Sequence, residues 1–188
     1  MHTSIRCWLL IGCFVGLLSA SASSQAVRVG VRKVTPNTAV SSLTVSASPA
    51  FVSFQLRSGG IATGSSAVAV TTTWGATLCV LTCTVRLYGY FSSATAALSG
   101  GSPVANIPSS SVLGQVPTGT PTTFTAFTQS NPLGGAGASL LLFTQTFLLL
   151  PLGGSRTDAL NLEINLASQP QLPAGTYSGT LFIQAQSL

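Results

Sequence analysis

ALNLEINL, residues Ala159 to Leu166, alternates without a break: Leu160, Leu162, Ile164 and Leu166 are apolar, whereas Asn161, Glu163 and Asn165 are polar. A period of two sends successive side chains to opposite faces of an extended chain, so this stretch reads as a strand with one buried face. The same rhythm recurs outward from it. VSFQL turns Val52, Phe54 and Leu56 inward, AVAVTTTW does so with Val68, Val70 and Trp74, and TVRLYGYF with Val85, Leu87 and Phe91. Near the end, TYSGTLFIQAQ presents Leu181, Ile183 and Ala185 to one side. No long stretch has a helical period. Between the runs stand Gly59-Gly60, Gly100-Gly101, Pro117 to Pro121, Gly134-Gly135, Gly153-Gly154 and Pro170 to Gly175, where glycine supplies positive φ and proline presets φ for a reversal. Short strands joined by such turns predict an all-β fold, an antiparallel β-sandwich or barrel.

The chain begins with a short basic region, MHTSIR, then the apolar CWLLIGCFVGLLSA and the small residues Ala20, Ser21 and Ala22. That order is expected of a signal peptide over residues 1–22, with cleavage as late as residue 26 as the second choice. The apolar run, about 14 residues, is too short for a spanning helix, which needs roughly 20. No membrane span is expected. LIGC, Leu10 to Cys13, also looks like a lipobox whose cysteine would carry a lipid anchor. A secreted, periplasmic or cell-surface protein follows from either reading. Residues 23–42 then form an N-terminal arm or first strand, and 43–188 a single domain.

Charge is scarce, at 5% of residues. After the leader, Arg28, Arg32, Lys33, Arg57, Arg86 and Arg156 face only Asp158 and Glu163, a net of +4. Six scattered cations do not make a basic face, so nucleic-acid binding is not expected. A neutral surface of Ser, Thr, Asn and Gln offers little repulsion between copies and favours association.

The same scarcity excludes most chemistry. The only histidine is His2, in the leader, so the processed chain has no imidazole for a triad or a zinc site. Lys33, the sole lysine, sits in the arm. Asp158 and Glu163 are five residues apart, which in one strand sets them on opposite faces about 16 Å apart. Glycosidase carboxylates stand about 5.5 Å or 6.5–9.5 Å apart. No phosphate-binding glycine loop is present. No enzymatic activity, cofactor or metal is expected.

Cys79 and Cys83, in WGATLCVLTCTV, are the thiols left after processing. In an exported chain such a pair is expected to oxidise. In a straight strand they would lie about 13 Å apart, beyond disulfide reach, so the pairing requires a turn between them. A structural staple is expected. On the following strand Arg86, Tyr88 and Tyr90 form one stripe that serves either as surface packing or as a ligand platform for sugar rings. SLLLFTQTFLLLPLGG, Ser139 to Gly154, reads as a central strand covered on both faces, with a helix or an apolar groove filled by a partner as the other readings. Ser99 to Gln115 lacks pattern and is expected to be a long loop or an irregular edge.

Leu172, Pro173, Ala174, Gly175, Thr176 and Tyr177, followed in phase by Thr180 and Ile183, resemble the closing strand of bacterial spore-coat-U-type and archaic chaperone–usher pilin domains. SLTVSASPAFVSFQL, from Ser42 to Leu56, looks like the opening strands of bacterial immunoglobulin-like modules. The resemblance implies an immunoglobulin-like β-sandwich and a structural or adhesive role, with self-association or another surface protein as partner. It also gives QAVRVGVRKV, Gln25 to Val34, a task. Val27, Val29 and Val31 alternate with Arg28, Gly30 and Arg32, as an assembly strand would that lays one apolar face into a groove. Pilin-like subunits do this in trans; pairing in cis, as the first strand of its own sheet, and a disordered arm are the other readings. The alternative function is a carbohydrate- or protein-binding module using Arg86, Tyr88 and Tyr90.

Overall fold

The computed structural model describes residues 25–34, 43–76, 78, 82–148 and 153–188. Among them the strands are β1 (Gln25–Lys33), β2 (Leu43–Ser48), β3 (Phe51–Leu56), β4 (Ile61–Thr63), β5 (Val68–Trp74), β6 (Thr82–Tyr90) and β7 (Leu98–Gly100). They continue with β8 (Ala105–Ile107), β9 (Val112–Gln115), β10 (Thr125–Ala126), β11 (Ser139–Leu148), β12 (Gly154–Asn165) and β13 (Tyr177–Ser187). The described residues hold no α-helix, only a 3-10 turn at Ser109–Ser111. The all-β expectation holds.

Two sheets enclose one core. The first runs β11-β6-β13-β1-β3, with β7 beside β13 and β8 beside β7. The second runs β10-β9-β12-β5-β2, with β4 beside β12. Alternation fixes which side chains go inside. Leu160, Leu162 and Ile164 of β12 meet Leu181, Ile183 and Ala185 of β13 in one continuous apolar cluster with Val52, Phe54, Val68, Val85 and Leu87. Each Val, Leu, Ile or Phe among them contributes about 1.5–3 kcal/mol by leaving water, an upper estimate because unfolded chains are partly collapsed.

A single ring shows how closely the sheets approach. Phe127 is fully buried and lies between two inward glycines, Gly89 of β6 and Gly114 of β9. A Cβ on either would come 3.1 Å from the Phe127 ring. The glycines form the slot and the ring fills it, with Phe91 packed edge-on at 5.2 Å between centroids.

Two expectations are corrected. The segment Ser99 to Gln115 is not a long loop and agrees with the other reading, an irregular edge: β8, which pairs with β7 alone, the 3-10 turn and β9 lie in it, and Ile107 and Val112 are fully buried. Its strands are three and four residues long, too short for alternation to show. SLLLFTQTFL is a strand, but at the edge of its sheet and not central. Its first half is buried at Leu140, Leu142 and Phe143, while its last residue, Leu148, is exposed. A shift of register between Leu141 and Phe143 inserts one extra residue, which explains two buried positions in succession.

Candidate functional site

β1 lies inside the first sheet, paired on both sides. It runs parallel to β13 from Val27↔Tyr177 to Lys33↔Ile183 and antiparallel to β3 from Gln25↔Leu56 to Gly30↔Phe51. Beyond the ladders, Val31 N–H donates to the Ala50 carbonyl at 2.8 Å and Val34 N–H to the Ile183 carbonyl at 3.0 Å. The candidate assembly residues Val27, Val29 and Val31 all point into the core, 0%, 0% and 9% exposed. The pairing is in cis. The Gln25 side chain anchors the start of the strand by donating to the Pro173 carbonyl at 3.0 Å.

The opposite face of the same sheet carries the predicted stripe. Arg86, Tyr88 and Tyr90 stand on the side of β6 away from the core, because Val85, Leu87 and Gly89 take the inner side. Their exposure differs from the expectation of an open platform. Tyr88 is 2% exposed. It occupies the middle of a strand between two others, level with Leu141 of β11 and Gln184 of β13. Long side chains on every side leave its ring no open face, so it cannot serve as a stacking surface. Tyr90 is half-buried. It stacks on Phe182 with centroids 5.4 Å apart and planes 21° apart, and its hydroxyl donates to Gln184 Oε1 at 3.2 Å. Gly134 lies against the same ring, in the left-handed region at φ +84, where a Cβ would come 2.6 Å from Tyr90. Desolvation raises the Tyr90 phenol above its ordinary value, so it remains a neutral donor.

The register also brings together cations that are far apart in sequence. Arg28 and Arg32 project from the outer face of β1, level with Ser178 and Phe182 of β13, and Arg86 is level with Gln186. The guanidinium of Arg28 sits 5.4 Å above the ring of Phe51, which is 52% exposed. Scattered along the chain, these cations share one face in the fold. That revises the expectation that they make no basic surface. Alternation alone could not reveal it, because the grouping depends on which strands are neighbours.

Neither carboxylate is on that face. Asp158 points between the sheets from β12, 3% exposed, and Glu163 points out of the second sheet. The odd spacing thus sets them on opposite sides of one strand, where they cannot flank one bond. Asp158 is held by its neighbours. Arg156 donates to Oδ2 from Nε at 2.7 Å and to Oδ1 from Nη2 at 2.8 Å, while Thr118 Oγ1 donates to Oδ1 at 2.7 Å. Nη2 also donates to the Thr118 carbonyl, and the guanidinium lies 4.8 Å from the Phe143 ring centroid on the facing sheet. The hydrogen bond to Asp158 raises the Arg156 pKa further above its ordinary value. The group is a clamp joining β12, the 116–121 turn and β11, with its carboxylate saturated by donors.

Beside the clamp, buried Thr72 Oγ1 and Trp74 Nε1 have no hydrogen-bond partner among the described residues, a cost of roughly 1–3 kcal/mol for each such group. Among the described residues no three His, Cys, Asp or Glu side chains gather where a metal could be held. No helix of the described residues is long and apolar enough to cross a membrane. Cys83 is buried on the inner face of β6, whereas Cys79 lies outside the described residues, as do Cys13 and the leader. No family model matches this chain, and no curated protein matches it either.

Proposed function

We propose that the chain is an exported structural or adhesive protein without catalytic activity, a pilin-like subunit on an immunoglobulin-like β-sandwich that assembles by exchanging β1 between copies. The observation that supports this most is the seat of β1. One short strand at the start of the described chain is zipped along both edges, and its three valines complete the core between β13 and β3. An identical β1 from a neighbouring copy would find the same register, the same backbone partners and the same three valine sites. Exchange of an identical element costs little, because every hydrogen bond and valine site given up in cis is regained in trans. The leader-like residues 1–22 fit export, and the expected Cys79–Cys83 staple fits an oxidising compartment. The weak charge of the surface fits association, since little repulsion holds copies apart.

The test is the mass distribution of the processed protein by light scattering, alongside a chain lacking residues 25–33. The expected result is a concentration-dependent ladder of multimers for the first and none for the second. A processed protein that stays monomeric at every concentration, or a shortened chain that still forms the ladder, would contradict the proposal.

A further inference from the structure

We infer that the outer face of the first sheet binds a linear acidic polysaccharide of low charge density. This goes beyond strand exchange, and its test separates the two. The face carries Arg28, Arg32 and Arg86 and, among the described residues, no Asp or Glu side chain, since Asp158 is inside and Glu163 is on the other sheet. Arg28 and Arg32 are exposed and Arg86 is half-buried. The charge on this face therefore calls for an anion.

Spacing decides what kind of anion. Arg28, Arg32 and Arg86 stand level with residues 178, 182 and 186 of β13, four residues apart at each step. At the rise of a strand each step is about 13 Å along the sheet, and Arg86 is also set about 10 Å to the side because β13 lies between β6 and β1, so the three span about 28 Å. No single small anion reaches all three, so the ligand is extended. Nucleic acid fits poorly: each strand of a duplex carries a phosphate every ~3.4 Å along the axis, and three cations spaced about 13 Å apart or more would leave most of them unneutralised. Strand-tracking nucleic-acid proteins also present a succession of aromatic plates. Here Tyr90 and Phe182 stack on each other, and Phe51 stands apart beneath Arg28.

The remaining surface suits sugars. Gly30 lies between the two arginines of β1, and a Cβ there would meet nothing closer than 3.7 Å. The row Arg28-Gly30-Arg32 is therefore a trough with a cation on each wall. Phe182, half-buried and backed on one side by the Tyr90 ring, lies level with Arg32. A sugar ring can pack against Phe182 while an acid group on the chain meets the guanidinium. In an assembly built by exchange, the incoming β1 brings Arg28 and Arg32 with it, so the face is preserved.

The experiment measures binding of the processed protein to hyaluronate, whose carboxylates alternate with neutral sugars, with neutral dextran and single-stranded oligothymidylate alongside. Hyaluronate is expected to bind and dextran not, and the hyaluronate affinity is expected to fall as salt is raised, because exposed charges are screened. Arg28→Gln, Arg32→Gln and Arg86→Gln each weaken binding about threefold, and together roughly thirtyfold. Circular dichroism and the multimer ladder stay unchanged in the triple variant, whose valines are intact. Adding Glu163→Gln to it moves the net charge back by one without touching the face, and affinity is expected to stay low. Equal binding to dextran, tighter binding to oligothymidylate, no loss in the triple variant or recovery with Glu163→Gln would each overturn the inference. A missing ladder with intact hyaluronate binding would remove strand exchange alone.

Discussion

β1 and β11 belong to the same sheet and solve opposite problems. β1 has a neighbour on each side and carries charge on its outer face, where Arg28 and Arg32 flank Gly30. β11 stands at the edge and carries none; no charged residue occurs anywhere between Arg86 and Arg156. Proteins commonly place charge on edge strands, because an edge offers unpaired backbone groups to any other strand. This chain does the reverse and guards β11 by other means. Ser139 exchanges both backbone hydrogen bonds with Gln129, Leu141 N–H donates to Gln129 Oε1 at 2.8 Å, and Thr120 N–H donates to the Leu142 carbonyl at 3.0 Å. Those brackets and the extra residue between Leu141 and Phe143 protect the first half of the strand. Cations in this sheet are thus placed for a surface role and not for keeping the edge soluble.

The largest effect expected is on β1. Val29 is fully buried between β13 and β3, so Val29→Asp places an unpaired carboxylate in the core. The loss is about 4 kcal/mol or more, a large part of a typical domain's stability, measured by denaturant unfolding. Arg28→Asp, one residue earlier on the outer face, should cost under about 1 kcal/mol. Similar losses for the two would mean that β1 is not seated in the sheet.

A smaller effect sharpens the β11 side. Thr146 is exposed on the outer face of β11, and among the described residues its hydroxyl bonds only Thr84 Oγ1, at 3.0 Å. Thr146→Lys is expected to change stability by about 0.5 kcal/mol or less while slowing aggregation on heating several-fold. If light scattering rises at the unaltered rate, the uncharged edge is not the route of unspecific association.

The faces of the strands are legible in the sequence and their neighbours are not. Alternation identifies the inner residues of β3, β5, β6, β12 and β13, because a half-buried strand must bury every second side chain. Pairing leaves no such local trace. The parallel match of Arg28 with Ser178 and Arg32 with Phe182, and the antiparallel match of Arg86 with Gln186, create the cation row, yet each joins residues distant in the chain. Tyr88 shows the same limit: alternation places it on the correct side of the sheet, but its burial depends on Leu141 and Gln184 arriving from other strands. In β11 the hydrophobic run suggests a central place. What makes it an edge is topology, and Leu140, Leu142 and Phe143 are buried by the core beneath them.

The most direct test of the account is whether β1 acts as a separable strand. The chain lacking residues 25–33 is titrated with a synthetic peptide spanning Gln25 to Val34, followed by near-ultraviolet circular dichroism and calorimetry. Saturable one-to-one binding that restores the tertiary signal is expected, and no binding by the same peptide carrying Val29→Asp. A shortened chain that ignores the peptide, or binds both peptides alike, would contradict that role for β1.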